Sequence, residues 1–425
     1  MTKRLLPFLL LSGLFQVAFA QNGIYLSSLP QLIHSQWYQP AYLNQVSDST
    51  DLQIGVDGLG YVGNNGFSLA PLLQGGNYLT NENKDKMLGQ MGNRTRFQYG
   101  ADFIVSANVR TGAKFQGIYL GYHTGTSIGV NNKDIAGLVF KGNAHYENQT
   151  IADKNDFYRN LSWAEIGWGT SGKTGTLSWG LRLKALGGFQ SQHFALNNIA
   201  TFTATDGEEI TLDADYNFYR TPKNAGLTGG GIGIDLGATM PVNDKILLSA
   251  SILNAGMMVS KGETLKGNVS VKYSGFDLLS LASQDSNYIN NTLDSVKKVI
   301  FPDTIQESRL MSLPTVIHLN AIYSLNENSK ISAGLHYGFT QNAYTYALPM
   351  LSVGYQYKLP KILTVGANAY AGGTDTYGVG AFALAEIRSN RTQVYNLYLQ
   401  SENLLGILGG IGKGGNVQAG VSVGF

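Results

Sequence analysis

The chain has 425 residues, with 53 Gly, 24 Tyr and 18 Phe, no Cys, and only 14% charged residues. Ordinary soluble domains carry about 25% charged residues and about 7% Gly, so the composition excludes a typical cytosolic enzyme, and an aromatic share of 11% with a formal net charge of +2 excludes a disordered chain. A helical membrane protein is excluded too, because no repeated runs of roughly 18 apolar residues follow the N-terminal leader.

The leader comes first. Lys3 and Arg4 form a basic region, residues 5–15 are apolar, and Ala18-Phe19-Ala20 has the small-x-small form of a cleavage site. Residues 1–20 are therefore expected to be a secretory signal peptide, cleaved after Ala20. Without Lys3 and Arg4 the 30 Lys and Arg fall to 28, equal to the 28 Asp and Glu. A neutral mature chain offers no electrostatic case for nucleic acid or for an anionic partner. An exported chain without cysteine gains nothing from disulfides, so hydrogen bonds and packing must close its fold.

From about residue 51 the dominant signal is alternation. Tyr99, Ala101, Phe103, Val105, Ala107 and Val109 share one face, and Ile104 is the one apolar residue on the other. Leu177, Trp179, Leu181, Leu183 and Ala185 oppose Ser178, Gly180, Arg182 and Lys184. The pattern recurs through Ile232–Met240, Ile317–Tyr323, Ile331–Phe339, Leu351–Tyr357 and Val417–Phe425. A period of two means strands with one apolar face. Many are long enough for the 9–11 residues or so that cross a bilayer. Their polar face is Gly, Ser, Thr, Asn and Gln with scattered charges, which suits a crowded polar lumen better than a solvated surface. Tyr337, Phe339, Tyr355, Tyr357 and Phe425 fall at strand ends, where aromatic girdles of membrane barrels lie.

These features predict an all-β fold, a transmembrane antiparallel β-barrel over residues 51–425. About fourteen strands are expected, near 51–61, 95–110, 113–127, 157–170, 174–188, 229–241, 245–255, 314–325, 328–341, 344–358, 361–372, 375–388, 391–401 and 415–425. Closure removes strand edges and pairs every backbone polar group, as lipid requires. Tight turns at 241–245, 325–328 and 359–361 mark the periplasmic side. Residues 62–93, 129–155, 189–228 and 257–313 are read as extracellular loops or lumen insertions, with a hairpin around Asp206-Gly207 and short helices at 81–88, 133–139 and 285–299. The aromatic carboxy-terminus, Phe425, after alternating apolar residues looks like the signal read by the barrel-assembly machinery.

Motifs for chemistry are weak. Gly125-Thr126-Ser127-Ile128-Gly129 has the Gly-x-Ser-x-Gly form of a nucleophile elbow, but it follows a barrel-type strand rather than opening a helix. Gly410–Gly415 fits Gly-x-Gly-x-x-Gly without a βαβ unit around it. Asp206, Glu208, Glu209, Asp213 and Asp215 could form a calcium site or a solvated strand face. No catalytic residue, metal ligand or cofactor is assigned, and the chain is read as a non-enzyme. The remaining constellation is charge on the lumen face: Asp102, Arg110, Glu165, Arg182, Lys184, Asp235, Lys330 and His336, with Lys358 and Glu386 beyond them. It reads equally as a ligand site or as ion pairs that stiffen a filled barrel.

Three runs carry a family resemblance: Gln36-Trp37-Tyr38-Gln39-Pro40-Ala41-Tyr42-Leu43-Asn44, Gly233-Ile234-Asp235-Leu236-Gly237-Ala238-Thr239-Met240-Pro241, and Leu248-Ser249-Ala250-Ser251-Ile252-Leu253-Asn254-Ala255-Gly256. The chain resembles bacterial outer-membrane barrels of the FadL-like hydrophobic-compound transporters, and barrels akin to the PorV and PorP/SprF proteins of type nine secretion. Gln39 stands where Asn is usual. The resemblance implies a Gram-negative outer-membrane protein embedded in lipid, whose N-terminal segment (residues 21–50) folds into the lumen as a plug through Trp37, Pro40, Ala41 and Asn44. The short amphipathic stretch at 29–37 suits that role, and a disordered tail is the alternative reading of the segment. Passive transport or binding of small hydrophobic ligands is the expected function. The alternative is a non-catalytic scaffold for secretion-system proteins.

Overall fold

The computed structural model describes residues 26–30, 32–44, 51–73, 80–112, 114–205, 209–222, 226–273, 304–340, 342–343, 349–360, 362–389, 393–408 and 412–425. The expected leader, the Asp206-Gly207 turn and the expected helix at 285–299 lie outside these residues.

Among the described residues, seventeen strands belong to one antiparallel sheet. They are β1 (Leu52–Asn64), β2 (Thr95–Thr111), β3 (Lys114–Val130), β4 (Thr150–Asp153), β5 (Asp156–Thr174), β6 (Leu177–Thr203), β7 (Ile210–Arg220), β8 (Gly229–Asn243), β9 (Ile246–Tyr273), β10 (Ile305–Ser312), β11 (Val316–Ser324), β12 (Ser329–Gly338), β13 (Pro349–Lys358), β14 (Leu363–Gly372), β15 (Tyr377–Arg388), β16 (Val394–Ser401) and β17 (Gly414–Gly424). Fourteen of them close a barrel, each pairing with the next around the ring β1-β2-β3-β5-β6-β8-β9-β11-β12-β13-β14-β15-β16-β17 and back to β1. The seam runs from Gln53 opposite Gly424 to Gly63 opposite Gly414. Phe425 anchors it, accepting the Asp51 N–H at 2.7 Å and donating to Leu52 O at 2.8 Å. Every one of the fourteen expected strands is a wall strand.

The alternation sets the two faces of that wall. Ile118, Leu120, Ile166, Ile232, Leu351 and Leu397 point outward and are each more than half exposed. Gln98, Ser106, Asn108, Asn320, Gln356 and Gln418 point inward and are buried. Contiguous apolar surface on this scale is foreign to water and suits lipid. One end of the barrel has short turns, at 175–176, 244–245 and 325–328 among others, and the other carries the long connections.

The wall is taller than the sequence suggests. β6 and β9 run for 27 and 28 residues, about 90 Å of strand at about 3.3 Å per residue. The lower part of β6, Ser178–Gly188, pairs with β8, and its upper part, Gln192–Thr203, pairs with β7. β9 makes the same exchange, from β8 to β7. β7 thus stands above β8, with β4 and β10 flanking the extension. The expected loop hairpin is therefore the top of a continuous wall. Leu196, Tyr216 and Val269 bury there, with Phe194 and Phe218 packed against them. The expected loop helices are present at Asn81–Gln90 and Lys133–Lys141, capped by Thr80 and Asn132 side chains that accept the Asn83 and Asp134 N–H groups.

Residues 26–44 form three short 3-10 turns, Leu26–Ser28, Ile33–Trp37 and Pro40–Asn44, that lie inside the ring. Leu26, Leu29, Leu32, Ile33, Ala41 and Tyr42 are almost completely buried. Strands from several sides hold the segment. A His34 ring nitrogen lies 3.1 Å from Val56 O on β1. Arg182 on β6 donates to Trp37 O at 3.0 Å. Gln39 donates to Ala250 O on β9 at 2.9 Å, and Gln418 on β17 donates to Tyr38 Oη at 3.2 Å. Gly180 and Gly237 are directly opposed on β6 and β8. A Cβ at either would overlap the Gln39-Pro40-Ala41 chain, so these two lumen-facing glycines are a seat for it.

Candidate functional site: the lumen cavity and its charged wall

Above residues 26–44, toward the long-loop end, lies a cavity of about 160 Å³. Trp37 and Tyr38 line its base, and Ile104, Leu253, Val316 and Met350 give it an apolar side. Ile104, the single break in the β2 alternation, is explained here: it faces the cavity rather than lipid.

The opposite side is a relay of charges stepping across five neighbouring strands. His123 on β3 donates through Nδ1 to Asp102 on β2 at 2.7 Å, and its Nε2 lies 3.5 Å from Glu165 on β5. Lys184 on β6 stands between Glu165 at 3.5 Å and Asp235 on β8 at 2.9 Å. Arg182 closes the relay on Asp235 at 2.7 Å. Three carboxylates thus face three basic side chains. All but Asp102 and His123 are more than nine-tenths buried. Buried ions persist only when paired and hydrogen-bonded, and the network supplies both.

Local backbone places the central acid. The β8–β9 register shifts between Ile234 and Leu236. Asn254 takes a φ of 55° in β9 opposite that shift, a left-handed conformation that Asn tolerates better than most residues. Its N–H donates to Asp235 Oδ1 at 2.6 Å, and its side-chain oxygen accepts from Lys184 Nζ at 2.5 Å. Rings complete the wall. The Arg182 guanidinium sits 5.0 Å from the Trp37 ring and 5.5 Å from that of Tyr119. Trp163 stacks on His123 at 4.7 Å.

Of the lumen residues read from sequence, Asp102, Glu165, Arg182, Lys184 and Asp235 come together in this relay. His336 lies on the same cavity, bonded to His318 rather than to the relay. Arg110 and Lys330 stand apart near the short-turn end, where Arg110 covers the Phe115 ring at 4.9 Å. Glu386 pairs locally with Arg388 at 3.0 Å. Trp37 lines the cavity, Pro40 and Ala41 occupy the glycine seat, and Asn44 ends the last 3-10 turn. His123, Trp163 and Asn254 were missed. Continuing the alternation of Ile118, Leu120 and Tyr122 places His123 inward, whereas Asn254 sits at an irregularity that no periodicity marks.

The other motifs resolve without chemistry. Ser127 is fully buried within β3, with no strand–turn–helix around it. In the run 410–415, residues 412 and 413 precede Gly414, which opens β17. Asp213 and Asp215 lie on β7, and Glu209 pairs with Lys272 at 2.7 Å. Among the described residues no group of three or more His, Cys, Asp or Glu could hold a metal ion.

Comparison with known proteins finds solved barrels to which this chain is similar, three of which follow. The Pseudomonas putida toluene transporter TodX is 12% identical, with 92% of this chain and 94% of that chain covered and a TM-score of 0.48. The Ralstonia pickettii toluene transporter TbuX is 12% identical over 92% of each chain, with a TM-score of 0.48. A Pseudomonas aeruginosa FadL homologue is 12% identical over 92% of each chain, with a TM-score of 0.46. No curated protein matches the chain. Residues 56–395, most of the barrel, match the group described as "Family of unknown function (DUF5723)", and the chain belongs to that family.

Proposed function

We propose that the protein is a non-enzymatic channel of a Gram-negative outer membrane, exported by its leader, that binds a small, largely apolar molecule in its lumen and passes it on. The observation that carries this reading is the cavity of about 160 Å³ above Trp37 and Tyr38. A dry cavity of about 150 Å³ is enough to take up benzene. The apolar side formed by Ile104, Leu253, Val316 and Met350 would hold a hydrocarbon portion, and the relay side would orient any polar substituent. Residues 26–44 act as the plug, since a solute crossing the lumen meets Trp37 and Tyr38 first.

Binding is tested on the purified barrel in detergent, with benzene and phenol as probes. Trp37 and Trp163 line the cavity, so a saturable change in tryptophan fluorescence is expected. The change should shrink in Trp163→Phe and vanish in Ile104→Trp, which fills the space. A flat titration in the wild type overturns the reading. Flat binding together with a stoichiometric co-purifying protein would favour the scaffold alternative. The plug is tested separately: vesicles carrying the intact chain should swell in small sugars no faster than empty vesicles, and a variant lacking residues 26–44 should swell faster.

A further inference from the structure

Three inward side chains form one rung beside the cavity. His318 on β11 is directly opposite His336 on β12, and His336 is directly opposite Met350 on β13. Opposed residues on neighbouring strands stand about 4.5–5.5 Å apart at Cβ, so two imidazoles and a thioether lie side by side. Each is only 4% exposed, and all three line the cavity.

Two nitrogens of this rung already converge. The Nδ1 atoms of His318 and His336 are 2.5 Å apart, with the rings at 82°. Only one proton fits between them. The far nitrogen of His336, Nε2, is 3.3 Å from Ser352 Oγ. Donating that N–H to the serine leaves the His336 Nδ1 lone pair aimed at its neighbour. A ring whose other N–H is tied to a fixed acceptor is the usual arrangement of a metal-binding histidine.

We propose that His318, His336 and Met350 bind one Cu(I) ion. The ion takes the place of the shared proton, which His318 moves from Nδ1 to Nε2, so each ring keeps one proton on Nε2 and none is released. Nitrogen ligands at about 2.0–2.1 Å from a metal stand roughly 3.3 Å apart at tetrahedral angles. The rings therefore need to separate by slightly less than 1 Å, into space the cavity provides. The thioether sets the choice of metal. Sulfur is a soft donor that selects Cu(I), whereas Mg²⁺ and Ca²⁺ want oxygen ligands, and the rung contains no carboxylate. The ion enters and stays as Cu(I), so no electron transfer is involved. This site is separate from the uptake of an apolar ligand and stands or falls independently of it.

The probe is Ag(I), a redox-inert ion of the same charge and softness, added to the purified full chain in chloride-free detergent buffer. The wild type should retain one silver per chain through gel filtration. His318→Ala and His336→Gln should lose it, and Met350→Leu should release it during the run. Met87→Leu, a buried methionine of the loop cluster with Phe67 and Met91, should keep it. Each variant is checked for the heat-modifiable gel mobility of a closed barrel, so loss of silver is read only on folded protein. If the wild type emerges free of silver, or His336→Gln and Met350→Leu both retain as much as the wild type, the proposal is overturned.

Discussion

At the scale of single residues, the lumen is governed by what each buried acid finds opposite it. Asp235 is fully buried and serves Arg182, Lys184 and the Asn254 N–H together. Removing one partner of a buried ion pair strands the others, at a cost on the order of 3 kcal/mol. Asp235→Ala should therefore lower the thermal unfolding temperature in detergent clearly more than Glu386→Ala, whose Arg388 partner is largely exposed. Asp375 is a different case. It lies in the β14–β15 turn, outside the wall strands, buried against Tyr370 and Asn403, which donate to its Oδ2. Burial pushes its carboxyl up to about 6, and these hydrogen bonds only partly oppose the rise. A carboxyl raised on folding makes the native state bind more protons than the unfolded one, so stability falls as pH climbs from about 4 to about 6 and levels above that. The unfavourable contribution is about 3 kcal/mol when complete. Asp375→Asn should flatten that slope in unfolding temperature, and an unchanged slope would refute the assignment.

Elements are positioned by what is left out of the wall as much as by what is in it. Gly180 and Gly237 leave room for Gln39-Pro40-Ala41, and Gln39 uses that room to reach Ala238 O at 3.3 Å and Ala250 O at 2.9 Å. Leucine at either glycine should evict residues 36–42 while the strands, whose pairing needs no side chain there, still close. The expected result is rapid proteolytic cleavage within residues 26–44 and a red-shifted Trp37 emission, with heat-modifiable mobility retained. Periodicity could not reveal this seat, because a glycine on a polar lumen face reads the same whether the space beside it holds water or chain.

For the whole molecule, the decisive split is between the two faces of the ring. Leu351 points outward, 63% exposed, beside Val353 at 58%. Leu351→Lys would set a charge in the apolar belt, where Lys costs about 2–4 kcal/mol near the bilayer midplane, so the yield of folded barrel in lipid vesicles should drop. Ser352→Lys, one residue along and inward, should not show the same dependence on bilayer thickness. The ring itself was legible because a period of two is imposed on every wall strand by the same physics. Ile104 was the visible exception and marked the cavity. The ends of β6 and β9 were not legible, since above the belt the contrast is reversed: Asn197, Asn198, Lys266, Asn268 and Ser270 are exposed while Leu196 and Val269 are buried, so exposed apolar residues no longer mark the wall. Asn254 was hidden for a related reason: a register shift breaks the count on which such reading depends.

The unequal strand lengths have one further outcome. Between β6 and β9 the rim is raised by β7, whereas β14 and β15 meet in the short turn around Asp375. The mouth is accordingly oblique, like a jug with one lip cut down. If this end faces the cell surface, as the proposed channel requires, the high side should fend off bulky visitors.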